Sequence, residues 1–163
     1  MADNWDESVD RLIRVFGGES ASTLGAAVFQ SPSSVSSAEL EPFAFSCYKH
    51  FVGKSWEAFG EENWSRSWAL LHQRASDTPP NIMQELAGIS DPSDPATSLA
   101  ASQLTENHDS PSDAAQALES VFNAPEIQEL RFYRAGDFDA ITGLVIAART
   151  ASNQAITLVF LMD

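Results

Sequence analysis

Residues 130–163, LRFYRAGDFDAITGLVIAARTASNQAITLVFLMD, carry the pattern that decides the fold. Leu130, Phe132 and Arg134 alternate with Arg131 and Tyr133, the period of two that sends successive side chains to opposite faces of a strand. Gly136 and Asp137 supply a turn, and a long strand is expected from about Asp139 to Ala148. A second turn spans residues 150–154 and a last strand residues 155–162. In that strand Ile156, Leu158, Phe160 and Met162 point one way while Val159 and Leu161 point the other, so neither face is polar. A sheet containing it needs cover on both sides.

The cover has to come from what precedes it. Residues 4–16 place Trp5, Val9, Leu12, Ile13 and Phe16 at helical spacing, with Asn4 and Glu7 as a capping pair and Gly17 and Gly18 as a stop. Residues 23–30, TLGAAVFQ, suggest an early strand. A serine-rich linker follows, Ser37 can cap a helix over residues 38–52, and Pro42 fits only in its first turn. A third helical stretch is expected over residues 55–74, interruptible at Gly60, with Trp56, Phe59, Trp64, Trp68 and Leu71 as its apolar positions. Residues 43–68 hold half of the chain's aromatic side chains, which reads first as a large core packed on the sheet and second as a stacking or hot-spot surface.

Residues 75–129 differ from both flanks, with ten acids and no Lys or Arg. Prolines cut the segment into pieces over residues 82–89, 96–104 and 113–122, of which only the last reads firmly as a helix, capped by Ser110 or Ser112. Residues 75–111 thus read as an acidic insertion, and 91–109 as its least ordered part, equally consistent with an inert insertion and with a loop that a partner orders.

A chain of 163 residues fits one domain that buries roughly 70% of its unfolded surface without a disulfide or metal. The order of helices, early strand, further helices and C-terminal three-stranded meander indicates the α+β class, with helices packed on an antiparallel sheet. The formal net charge of -14 disfavours nucleic acid and anionic membranes as partners; it reads first as a device for solubility and second as compatible with a basic partner protein. The polar, acidic N-terminus does not read as a secretion signal and no segment approaches the ~20 apolar residues of a membrane helix, so a cytoplasmic location is expected.

Chemistry-bearing motifs are scarce. Cys47 and His50, three apart on one helix, with His72 added, have a permissible metal-ligand spacing but lack the remaining ligands of a zinc site. Asp137 and Asp139 supply too few oxygens for a calcium shell. No nucleophile elbow, phosphate loop, zinc-protease or dinucleotide pattern occurs, and neither cofactor nor catalytic residue is assigned. Three functional readings remain. The first is a non-enzymatic protein-binding factor, an adaptor or assembly chaperone. It would bind a client or dimer mate through Ile156, Leu158, Phe160 and Met162 of a strand left at the sheet edge, with Trp64 and Trp68 nearby. The second is a small enzyme or ligand-binding domain whose pocket gathers Tyr48, His50, His72 and Asp137. The third is an acidic inhibitor or immunity-type protein aimed at a basic target. At least part of the sheet's cover is expected to come from another chain.

Overall fold

A computed structural model describes residues 2–75, 77–89, 94–106, 109–137 and 140–163, the side chains of residues 2–4 excepted. Helix α1 (Ala2–Phe16) buries Val9, Leu12 and Phe16 along one stripe. It begins two residues before the expected cap at Asn4 and ends as expected, where Gly17 takes φ 100° and donates its N–H to the Ile13 carbonyl at 2.7 Å. Strand β1 (Gly25–Gln30) follows. A 3-10 turn (Ser37–Glu39), held by the Ser36 N–H on Glu39 Oε1 at 3.1 Å, leads into α2 (Leu40–Val52), where Pro42 occupies the first turn.

The third helical stretch resolves differently from its expectation. Helices α3 (Ser55–Phe59) and α4 (Glu61–Arg66) meet at Gly60, and residues 69–73 then leave the helix to form strand β2 (Ala69–Gln73). Nothing in AlaLeuLeuHisGln favours a strand locally; the conformation comes from pairing with β3, the tertiary override to which strand propensity is always subject. Within residues 75–111, α5 (Ile82–Ala87) and α6 (Pro95–Glu106) overlie the pieces expected over residues 82–89 and 96–104 and are helical. They bury Ile82, Leu86, Ala100, Ala101 and Leu104, so the described part of this segment belongs to the core cover. Helix α7 (Pro111–Phe122) starts on Pro at its first position behind Ser110. Strands β3 (Ile127–Gly136), β4 (Thr142–Thr150) and β5 (Ala155–Met162) complete the chain. β4 starts later than the expected Asp139, which lies outside the described residues.

The five strands form one antiparallel sheet in the order β1-β5-β4-β3-β2, which gives the α+β class directly. β5 is therefore not at the edge: it pairs with β1 through Ala27↔Val159 and with β4 through Val145↔Val159. The apolar alternation of β5 has its counterpart in two cores. Ile156, Leu158 and Phe160, with Leu130, Phe132, Leu144 and Ile146, face the layer built by α1, α5, α6 and α7. Val159 and Leu161, with Tyr133 and Val145, face α2, α3 and α4 and their aromatic side chains. Each fully buried large apolar side chain contributes about 1.5–3 kcal/mol, so a layer on each face is worth far more than a bare face. The expectation that another chain completes the cover is overturned, since among the described residues both faces are closed by the chain's own helices.

One side chain ties the second layer to the sheet. Tyr48, fully buried on α2, accepts the Gly136 N–H at 3.0 Å, and its hydroxyl lies 2.8 Å from the Trp64 carbonyl and 3.0 Å from that of Gly136. Ser67 Oγ donates to the Gly136 carbonyl at 2.7 Å. Strand β3, helix α2 and the chain leading into β2 thus meet at one glycine. Gly136 has φ 129°, and a Cβ there would lie 2.2 Å from the Ile141 carbonyl oxygen.

Candidate functional site

The two sheet edges are treated differently. On β1 the residue that follows α1 occupies one outer position, with the Val28 N–H donating to the Gly17 carbonyl at 2.9 Å. On β2 no described element pairs with the outer side, and Leu70 is 52% exposed. The β2–β3 register, Ala69↔Arg134, Leu70↔Tyr133, His72↔Phe132, shifts between Leu70 and His72. A bulge of this kind re-aims side chains. Here it sends two consecutive residues, Leu71 and His72, to the α5 side, where both line a cleft of about 340 Å³ between β2 and α5. Thr78, Pro79, Asn81, Gln84, Glu85, Gly88 and Ile89 complete its lining.

At the wall of the cleft lies a paired ion cluster. His72 Nε2 is 2.8 Å from Glu85 Oε2, and Arg74 grips the same carboxylate through Nε at 3.0 Å and Nη2 at 2.5 Å. Arg74 also donates Nη1 to the Phe122 carbonyl at 2.7 Å, so one guanidinium links the end of β2 to α5 and α7. Burial pushes the Glu85 carboxyl up, but hydrogen bonds from Arg74 and His72 outweigh it and hold the group below the usual carboxylate range. A carboxyl depressed in the folded state contributes stability that is fully present above its unfolded pKa of about 4.3 and is lost as pH falls through the folded value. Stability measured by urea melts is expected to fall with pH below about 4.3, and Glu85→Gln is expected to flatten that acid limb while lowering stability at neutral pH.

A second ion cluster is a brace. Glu129 accepts from Arg149 Nη2 at 2.5 Å and from Arg131 Nη2 at 2.9 Å, and so fastens β3 to β4.

The residues singled out in the sequence fall in different places. Ile156, Leu158 and Phe160 are buried under the α1/α5–α7 layer, with Met162 packed at its margin. Trp64 is fully buried, donates Nε1–H to the Ser55 carbonyl at 3.0 Å and stacks on Trp56. Trp68 lies half-buried between Tyr48 and Tyr133, stacked on the latter at 4.6 Å, with its Nε1–H on Glu41 at 3.0 Å. Tyr48 and Asp137 lie together near Gly136, and Asp137 Oδ1 caps the turn by accepting the Ile141 N–H at 2.9 Å. His50 is elsewhere, half-exposed near Glu19, with its ring edge against Phe29. His72 packs on Phe132, on the opposite sheet face from Tyr48. The four polar groups of the expected pocket therefore do not converge. Cys47, His50 and His72 are likewise separated, and among the described residues no group of three or more His, Cys, Asp or Glu is placed to hold a metal ion.

Burial pushes the Cys47 thiol up to about 12, which leaves it protonated and unreactive at neutral pH. The native chain is expected to leave a disulfide reagent such as DTNB unreacted over hours at pH 8, and to release one equivalent on unfolding in guanidinium. Rapid release before unfolding would contradict this placement.

The cleft beside β2 was not legible in the sequence, because β2 itself was read as helix. The faint signal was Pro79 and Pro80, which end the chain's run along the sheet and turn it toward α5. No helix of the described residues is long and apolar enough to cross a membrane. Comparison with known proteins returns no matching family model, no matching curated protein and no matching solved structure.

Proposed function

We propose that the chain is a protein-binding factor, an adaptor or assembly chaperone, that receives an extended segment of a basic partner along the outer side of β2. The observation that carries this reading is the edge left open among the described residues: β2 is a terminal strand of the sheet, with Leu70 exposed and a cleft alongside, whereas β1 has Val28 bonded to Gly17 on its outer side. An unpaired strand offers main-chain donors and acceptors to an incoming strand, and an adjacent cleft selects among its alternate side chains. A net charge of -14 favours encounter with a basic partner. The binding surface is thus moved from β5, where the sequence first suggested it, to β2.

Pull-down from native lysate, with the wild-type chain and Leu70→Lys as paired baits, tests it. Leu70 is exposed, so the variant folds; a cation at this edge repels a basic strand. A partner retained by the wild type and lost by L70K is the expected result. A chain that stays monomeric and retains nothing, or an identical set on both baits, contradicts it. A partner lost in 0.5 M salt and indifferent to L70K would favour the acidic-inhibitor reading instead.

A further inference from the structure

Helix α6 lies over β4 and β5, whose Leu144, Ile146, Leu158 and Phe160 belong to the apolar face it helps to close. Its own contribution to that core is small. It buries Thr97, Ala100, Ala101, Leu104 and Thr105, while Leu99 is 49% exposed. One leucine, two methyl groups and two hydroxyl-bearing side chains hold it down, whereas α7 buries Leu118, Val121 and Phe122 together with two alanines. Burial free energy follows the apolar area removed from water, so α6 is the more weakly docked of the two. A cleft of about 220 Å³, lined by Met83, Leu86, Ile89, Ala101 and Thr105 among others, lies between it and α5.

The helix is also weak in itself. Thr97, Ser98, Ser102 and Thr105 are poor helix formers, and Glu106 in the last turn sets a negative charge against the negative end of the helix dipole. Its start, by contrast, is pinned. Asp94, just before the helix, accepts the Thr97 N–H through Oδ1 at 3.4 Å and the Thr97 hydroxyl through Oδ2 at 2.6 Å. The same Oδ2 takes Arg134 Nη1 at 3.2 Å, which ties the first turn to β3. We propose that α6 is a latched lid: it lifts from the sheet as a unit while the strands stay paired, and the Arg134–Asp94 pair sets how often it does so. Lifting leaves the ladders of β4 and β5 intact, so their amides stay protected while their side chains meet solvent. The device is independent of what binds at β2.

Native-state amide exchange of the whole chain, followed along a urea series below the unfolding transition, tests it. Amides of residues 100–104 are expected to share one opening, at least about tenfold more frequent than global unfolding and little affected by urea, while the central amides of α7 follow the global transition. Trp64→Phe, in the layer on the other face of the sheet, should speed exchange in α7 and leave the α6 opening unchanged, because its loss is common to the closed and lifted states. Asp94→Asn keeps a capping side chain but removes the charge facing Arg134, and should make the α6 opening roughly two- to fivefold more frequent. A thiol placed at the fully buried Ala100 by Ala100→Cys should react with DTNB through the same opening, well ahead of Cys47. Four results would overturn the proposal: α6 and α7 amides exchanging alike in the wild type, W64F shifting both equally, an α6 opening indifferent to D94N, or an A100C thiol as slow as Cys47. The first of these needs no variant to fold.

Discussion

Gly143→Ala is expected to be among the most damaging single substitutions in the chain. Gly143 sits at the start of β4 opposite Leu161 of β5, and a Cβ there would lie 1.9 Å from the Phe160 carbonyl oxygen and 2.9 Å from the Leu161 Cα. Both are backbone atoms of an interior strand, so relief requires β4 and β5 to separate. Because β5 is also paired with β1, that separation has to displace two ladders or tear one. Overpacking a well-filled interior costs typically 1–3 kcal/mol, and a clash with backbone belongs at the upper end or beyond. We expect a loss of about 3 kcal/mol or more, seen as a melting midpoint lowered by roughly 6–12 °C. A change of less than about 1 kcal/mol would mean that the two strands do not approach as closely as described.

Trp64→Ala is the second large effect, and it separates a structural role from a binding one. The indole is fully buried, stacks parallel to Trp56 at 6.3 Å, and donates to the Ser55 carbonyl, while the Trp64 carbonyl faces the Tyr48 hydroxyl. Truncation leaves a cavity under α3 and α4, and large aromatic-to-Ala changes cost about 3–5 kcal/mol. For a domain whose total stability is of order 5–15 kcal/mol this is a large share. Urea melts are expected to show it without any partner present, and Trp64→Phe is expected to recover part of it. A W64A chain as stable as the wild type would return Trp64 to the surface role that its aromatic character suggested.

The two faces of β5 were legible in the sequence because a strand buried on both sides has no polar alternate positions, and Ile156 to Leu161 contain only Thr157. That pattern says a strand is interior, and the structure places β5 between β1 and β4 accordingly. Reading the same strand as an edge set strand order against local sequence, and strand order is not a local property. The helices α1, α2 and α7 were legible from their apolar stripes and stop signals. α5 and α6 were not, since α5 spans only Ile82–Ala87 and α6 meets the core mainly through Ala100, Ala101 and Leu104. Small side chains bury without giving a strong periodicity. β2 was hidden for a related reason: its residues follow two short helices and are common in helices, and only pairing with Arg131 to Arg134 makes them a strand. The candidate site depends on both of these elements, so it could not be assembled from local patterns.

Amide hydrogen exchange by NMR on the free chain tests the central claim, a sheet closed on both faces by its own helices with one open edge at β2. Amides of β4 and β5 are expected to exchange slowest, at rates approaching global unfolding, because they open only when both layers and both neighbouring strands part. Amides of β2 at residues 69–73 are expected to exchange fastest within the sheet, with those pointing away from β3 unprotected. Fast exchange throughout β5, or protection across β2 equal to that of β4, would contradict the arrangement and with it the assignment of the binding edge.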